Sequence, residues 1–195
     1  MTTLILARHG ETDWNRDGRW QGHADRPLND AGRAQARKLA AELDDEPIAA
    51  VYSSDLARAR ETAEIIAAPR SLPVRTDARL REVDIGRWSG LTLPEVEERY
   101  PRAVTRWRAG DLTHSFEEGE TYAAMGERVV AALEEIAVRH PEDHVLVVLH
   151  GGPIRAVLAH EAGITYEEQR RLREHLDNCG ILRVAVEGGT FRGLD

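Results

Sequence analysis

One cysteine, Cys179, is all the chain contains, so no internal disulfide can form and a zinc site of several thiolates is excluded. Basic charge is in deficit: 26 Lys and Arg stand against 34 Asp and Glu, a formal net charge of −8. That balance argues against a general nucleic-acid binder, which needs a basic face to neutralise phosphates. An anionic ligand must instead be held by a local cluster of positive groups. No apolar run approaches the roughly 20 residues of a membrane span. The opening MTTLILARHG lacks a basic leader and meets charged residues too early for a secretory signal, so a cytoplasmic location is expected. No internal repeat, low-complexity tract or Pro/Gly/Ser-rich linker divides the chain. What is present, 42% hydrophobic and 31% charged residues over 195 positions, suits one globular domain spanning residues 1–195.

Short apolar runs alternate with amphipathic stretches, the pattern of an α/β fold. Strands are expected at Thr2 to Ala7, Pro47 to Ser53, around Val74, and at His144 to Leu149. Two closing strands, Cys179 to Val186 and Thr190 to Leu194, flank a Gly188-Gly189 hairpin turn. Helices are expected from Asn29 or Asp30 to Leu43, from Leu56 to Ala67, from Gly119 to His140 and from Pro153 to Ala162. Pro94 and Pro101 each suit the first turn of a small helix. The sheet is predicted to be mixed, parallel in its early strands with an antiparallel edge at the end.

Two of these strands end alike. The first runs into Arg8-His9-Gly10, and the strand near Val147 runs into His150-Gly151-Gly152-Pro153. In open α/β sheets, ligands sit beyond the carboxyl ends of strands. Two histidines at equivalent ends can face each other there, and the glycines allow backbone to approach a ligand. Gly151, Gly152 and Pro153 also open a helix, whose N–H groups and dipole favour an anion. These features together describe a pocket for a phosphate-sized dianion.

Four segments extend the pattern: RHGETDWN, SSDLARARETA, LREVDIGRWSGLT and VLVVLHGGPIRAVLAH, in that order. Together they resemble the histidine phosphatase superfamily, also called phosphoglycerate mutase-like, from about Leu4 to Leu158. The resemblance implies a three-layer α/β/α sandwich with a mostly parallel mixed sheet. It implies a phosphohistidine mechanism with His9 as nucleophile, Arg8 and Arg58 gripping phosphoryl oxygens, and a protonated His150 as a further positive donor. Glu82 would protonate the leaving alkoxide and then activate water. Asn15, Gln21, Gly22 and Gly151 are expected as substrate-binding residues beside Arg8, Arg58 and His150. Phosphoryl transfer is mostly positioning and charge stabilisation, so no metal and no cofactor is assigned. Glu11 is a rival acid close to His9, set aside as a structural carboxylate on a neighbouring arginine.

Against the family pattern, Leu149 replaces the Ser or Thr that relatives commonly carry before the second histidine. Glu82 is followed by Val83, Asp84 and Ile85, without the Arg-x-Tyr run of cofactor-dependent mutases, and their RRSYD-like pair has no counterpart. The expected activity is therefore hydrolysis of a small-molecule phosphate monoester. The alternatives are mutase-type phosphoryl transfer and a weakly catalytic phosphate-binding module. Other phosphatase and nucleotide chemistries fail: Cys179 lacks an arginine at the spacing of cysteine phosphatases, and neither GxxxxGK[ST] nor GxSxG occurs. Trp14, Trp20, Trp88 and Trp107 suit either packing or the mouth of a site. Residues 77–120 are expected to form an excursion or lid, with Arg102, Arg106 and Arg108 in it. Neither nucleic acid nor membrane is expected as a partner, and a homodimer is left open. His114, His140, His144, His160 and His175 are scattered and carry no assigned role.

Overall fold

The computed structural model describes residues 1–111, 116–172 and 176–194. In chain order these form β1 (Thr2–Arg8), α1 (Asp13–Arg16), α2 (Asp30–Glu42), β2 (Ile48–Ser53), α3 (Ala57–Ala67) and β3 (Val74–Thr76). They continue as α4 (Leu93–Arg99), α5 (Pro101–Ala109), α6 (Tyr122–Arg139), β4 (His144–Leu149) and α7 (Gly151–Ala162). The described chain closes with α8 (Tyr166–Arg171), β5 (Ile181–Glu187) and β6 (Thr190–Leu194). The expected residues His114 and His175 lie outside the described residues.

The strands form one six-stranded sheet in the order β3-β2-β4-β1-β5-β6. The first four pair in parallel, and β5 and β6 add an antiparallel edge, as the sequence predicts. Because side chains alternate along a strand, each strand feeds both faces. Ile5, Ala7, Val51, Leu146 and Val148 pack under α2 and α3 with Leu39, Leu43, Ala63 and Ile66. Leu4, Leu6, Val145, Val147 and Leu149 pack on the other face with Met125, Val129, Leu133 and Val157 of α6 and α7. Two apolar layers thus sandwich the central strands, which explains why β1 and β4 read as continuous apolar runs.

Caps set the helix starts. Asn29 accepts from Gly32 N–H, and Thr121 from Ala124 N–H, so α6 begins at Tyr122 rather than at the expected Gly119. α7 begins at Gly151, two residues before the expected Pro153, because a proline in a first turn needs no N–H partner. α1 and α8 are too short to show a period in sequence, yet Thr12 and Thr165 give each a capping box. The closing strand starts at Ile181 instead of Cys179, whose φ of 58° places it in a turn. Gly188 and Gly189, both at positive φ, make the expected tight hairpin. No described helix is long and apolar enough to cross a membrane.

Candidate active site

Three neighbouring strands deliver their carboxyl ends to one cleft. β1 and β4 pair with Arg8 opposite Leu149, and His9 N–H donates to the Leu149 carbonyl at 3.0 Å. The residue that follows in one strand is His9 and in the other His150, so parallel register sets the two imidazoles side by side. Their ring centroids are 5.1 Å apart with planes at 61°. β2 pairs with β4 on its other side, and the chain then turns into α3, whose second residue is Arg58.

His9 Nδ1–H donates to the Gly10 carbonyl at 2.7 Å. A carbonyl can only accept, so Nε2 is left as the lone-pair nitrogen, and it accepts from Arg58 Nε at 3.3 Å. Arg58 is only 1% exposed. Its remaining nitrogens donate to the carbonyls of Ala24 and Gly22, at 2.9 and 2.8 Å. Burial lowers the Arg58 pKa to about 10, opposed by Glu82 and Asp25, and it stays cationic at neutral pH. Gly22 must be glycine here: its φ is 51° and a Cβ would strike Ile85.

Burial, followed by the charge of Arg58, holds both His9 and His150 well below the ordinary histidine value. Both imidazoles therefore favour the neutral form. The expected protonated His150 therefore requires an anion beside the ring to offset its burial and the Arg58 charge. Both ring nitrogens of His150 and Nε of Arg8 are buried without a hydrogen-bond partner among the described residues. Orphaned polar groups of this kind are costly unless a ligand satisfies them.

Glu82 reaches the same place from the segment after β3. Its carboxylate accepts from Val83 N–H at 2.9 Å and from Gly152 N–H, in the first turn of α7, at 3.1 Å. Its carbonyl accepts from His23 Nε2–H and from Arg128, both at 2.8 Å. Arg128 also donates to the carbonyls of Arg79 and Arg81, at 2.7 and 2.8 Å, and is itself gripped by Glu120. Asp84 and Glu120 close the brace, since Asp84 N–H donates to Glu120 Oε1 and Glu120 N–H to the Asp84 carbonyl, each at 2.9 Å. Sequence reading missed this brace, because Arg128 looks like an ordinary helix-surface cation.

A cavity of about 590 Å³ opens here, and Arg8, His9, Asn15, Gln21, Gly22, Arg58, Glu82 and Gly151 all line it. Of the nominated residues His150 does not form its wall: it is completely buried, edge-on to His9. Asn15 Oδ1 accepts from Thr12 N–H at 3.1 Å, closing the cap of α1. Gln21 Oε1 lies 3.0 Å from the same Thr12 hydroxyl. Glu11 accepts from the Asn29 amide at 2.8 Å, so its partner is an asparagine and not the expected arginine.

Comparison with known proteins places this geometry. The model of the histidine phosphatase superfamily (branch 1) matches residues 4–194. The chain belongs to that family. It is 41% identical to phosphoserine phosphatase 1 of Hydrogenobacter thermophilus over 164 residues, covering 84% of this chain and 78% of the relative. A probable phosphoglycerate mutase of Escherichia coli (strain O1:K1) is 36% identical over 187 residues, 94% of this chain and 85% of the other. The structure of a mycobacterial glucosyl-3-phosphoglycerate phosphatase complexed with VO₃ superposes with a TM-score of 0.88. It is 32% identical and covers 98% of this chain and 96% of that one.

In this histidine phosphatase Trp14, Trp20 and Trp107 line the cavity, while Trp88 is buried and packs on Trp20, Trp107 and Phe116. The arginines of the expected lid do not face it. Arg108 pairs with Glu97 at 2.7 Å and Arg106 with Asp111 at 3.0 Å, both exposed, and Arg102 is exposed too. Leu149 is fully buried among apolar neighbours and is not part of the cavity wall. Burial pushes the Cys179 thiol up to about 12, which keeps it unreactive. This segment instead steadies the end of β1: Cys179 N–H donates to the Arg8 carbonyl at 3.0 Å, and Asn178 Nδ2 to the His9 carbonyl at 2.9 Å.

Proposed function

We propose that His9 Nε2 takes the phosphoryl group of a small phosphate ester and then yields it to water. The chain is a phosphoric monoester hydrolase acting on small-molecule esters, in keeping with its family and relatives. The observation that carries the catalytic reading is the state of His9. Its Nδ1–H is held by Gly10, its Nε2 lone pair points at Arg58, and the cavity meets it there.

In the first step Nε2 attacks phosphorus, the N–P bond forms and the ester P–O bond breaks. Glu82 enters this step as the carboxylic acid, gives its proton to the departing alkoxide and is left as the carboxylate. In the second step water attacks phosphorus while Glu82 takes its proton, and the N–P electron pair returns to Nε2. Arg8 and Arg58 hold the equatorial oxygens throughout with permanent charge. The incoming dianion offsets the burial and the Arg58 charge that disfavour a proton on His150, so the ring takes one up from solvent and donates to the phosphoryl group. Asn15, Gln21, Gly22 and Gly151 shape the wall around that group. Residues 77–111 and 116–120 serve as an excursion of a single domain, bringing Glu82 and Trp107 to the cavity.

Rapid quenching with a ³²P-labelled ester tests this. An acid-labile, alkali-stable phosphohistidine on the His9 peptide is expected, absent in His9→Ala. Turnover without any such adduct would replace covalent catalysis with direct attack by water. Interconversion of 2- and 3-phosphoglycerate primed by 2,3-bisphosphoglycerate, without phosphate release, would reassign the chain to mutase chemistry.

A further inference from the structure

The loop from Gln21 to Asp25 touches two charged groups of the phosphoryl site. Gly22 and Ala24 hold Arg58 through their carbonyls, at 2.8 and 2.9 Å. Ala24 N–H donates back to the Gln21 carbonyl at 2.9 Å, which turns the loop on itself. Asp25 reaches the start of α3, where its carboxylate accepts from Ala57 N–H at 2.6 Å. The N-cap there is Leu56, whose side chain has no acceptor, so Asp25 supplies the missing cap from a distance. Arg58 is thus located twice by this loop, through its own guanidinium and through the helix end that carries it.

His23 serves the other charged group. Its Nε2 lies 2.8 Å from the Glu82 carbonyl. A carbonyl only accepts, so Nε2 carries the hydrogen and donates. Asp84 and Glu120 flank the ring, with Asp84 Oδ2 3.8 Å from Nδ1 and Glu120 Oε1 4.0 Å from Nε2. The close approach follows from Gly22, where a Cβ would stand 3.1 Å from the Val83 carbonyl and strike Ile85. The residue after Gly22 is therefore brought against the segment that carries Glu82. The same Glu82 carbonyl accepts from Arg128, which ties it to α6. His23 ties it instead to the loop that holds Arg58. A misplacement of about 1 Å between groups that act together costs on the order of 10²-fold in rate.

We propose that His23 is a positioning residue that sets Glu82 relative to Arg58, so that proton donor and phosphoryl grip meet the same ester bond. The inference rests on the phosphatase reading above and adds to it a residue outside the cavity wall. The role predicts a selective loss. Without the imidazole, Arg8 keeps its bond to the Leu176 carbonyl, Arg58 its bonds to Gly22 and Ala24, and His9 its bond to Gly10. Grip and nucleophile stay in place, and the placement of the acid suffers.

Leaving groups of different basicity test this. In His23→Ala, kcat on sn-glycerol 3-phosphate should fall about tenfold, the size of one hydrogen bond. KM should stay within about twofold of wild type, because uniform binding of the phosphoryl group is untouched. p-Nitrophenyl phosphate, whose leaving group needs little protonation, should slow by less than about threefold. His23→Gln, whose amide nitrogen can take the place of Nε2, should recover most of the alkyl-ester rate. In Glu82→Gln no acid remains to be placed, so adding His23→Ala should change the residual rate by less than about twofold. Equal losses on both substrates, no recovery in His23→Gln, or a full further loss on top of Glu82→Gln would overturn the positioning role. Should His23→Ala fail to fold, His23→Leu keeps the bulk without the donor and is read in the same way. No turnover of any ester by the wild type, p-nitrophenyl phosphate included, would overturn the phosphatase reading instead.

Discussion

Arg58 Nε donates to His9 Nε2 at 3.3 Å, placing a fully buried cation on the one imidazole nitrogen that carries a lone pair. Burial is the larger cause that disfavours a proton on this ring, the Arg58 charge adds to it, and the same guanidinium is proposed to hold a phosphoryl oxygen. Two effects should separate in Arg58→Gln. Turnover should fall by about 10²–10³, the usual loss for one preorganised charged donor. The His9 imidazole should also titrate at higher pH, since the repelling charge is gone. Kinetics and imidazole NMR together check this, and an unchanged titration would show that burial alone depresses His9.

Gly152 is where α7 meets the Glu82 carboxylate. A Cβ there would collide with Glu82 Oε1 and also press on Met125 Sδ at 3.3 Å. Gly152→Ala should therefore displace the acid while leaving His9 and Arg58 in place. Esters with alkyl leaving groups should slow by about 10²–10⁴, the usual worth of a positioned acid. p-Nitrophenyl phosphate, whose leaving group needs little protonation, should lose far less. Equal losses on both substrates would mean that Glu82 does not act on the leaving oxygen.

Arg128 braces the Glu82 segment through the carbonyls of Arg79, Arg81 and Glu82. Arg128→Met keeps the aliphatic stem and deletes these bonds, leaving Glu120 without its guanidinium partner. A stability loss of about 2–4 kcal/mol is expected, in the range for breaking a partly buried hydrogen-bonded ion network. Urea unfolding measures that loss. kcat on alkyl esters should fall with it, because the Glu82 backbone is no longer pinned. A variant stable to within about 0.5 kcal/mol of wild type, the scale of a neutral surface change, would make the brace decorative.

His9 and His150 are held below their unfolded pKa of about 6.5. Below that pH the unfolded chain takes up protons that the native site refuses. Their contribution is thus fully present above pH 6.5 and is lost as pH falls towards the native values. The slope reaches at most about 1.4 kcal/mol per pH unit for each ring. The carboxylates held low by arginines, such as Asp55 and Asp77, titrate at lower pH and leave the window from about 5 to 6.5 to the histidines. Urea midpoints at pH 7.5 and 5.5 should differ in wild type and differ less in His150→Asn. Inorganic phosphate should flatten the dependence, because an anion favours the protonated ring.

Much of this molecule is legible in local pattern. Two apolar runs ending in histidine, a capped helix after each of several strands, and the order of the motifs already specified the sheet, its mixed edge and the strand ends that matter. They did so because period, caps and turn glycines are properties of neighbouring residues. Tertiary structure decided what depends on distant partners. The register of β1 against β4 set the His9–His150 spacing, and burial beside Arg58 biased both rings against a proton. Arg128 reached the Glu82 carbonyl across 46 positions, and α8, too short to show a period, carried Arg170 to the cavity wall. Charge state, desolvation and long-range hydrogen bonds are set by what surrounds a group, and that arrangement exists only after the chain has packed.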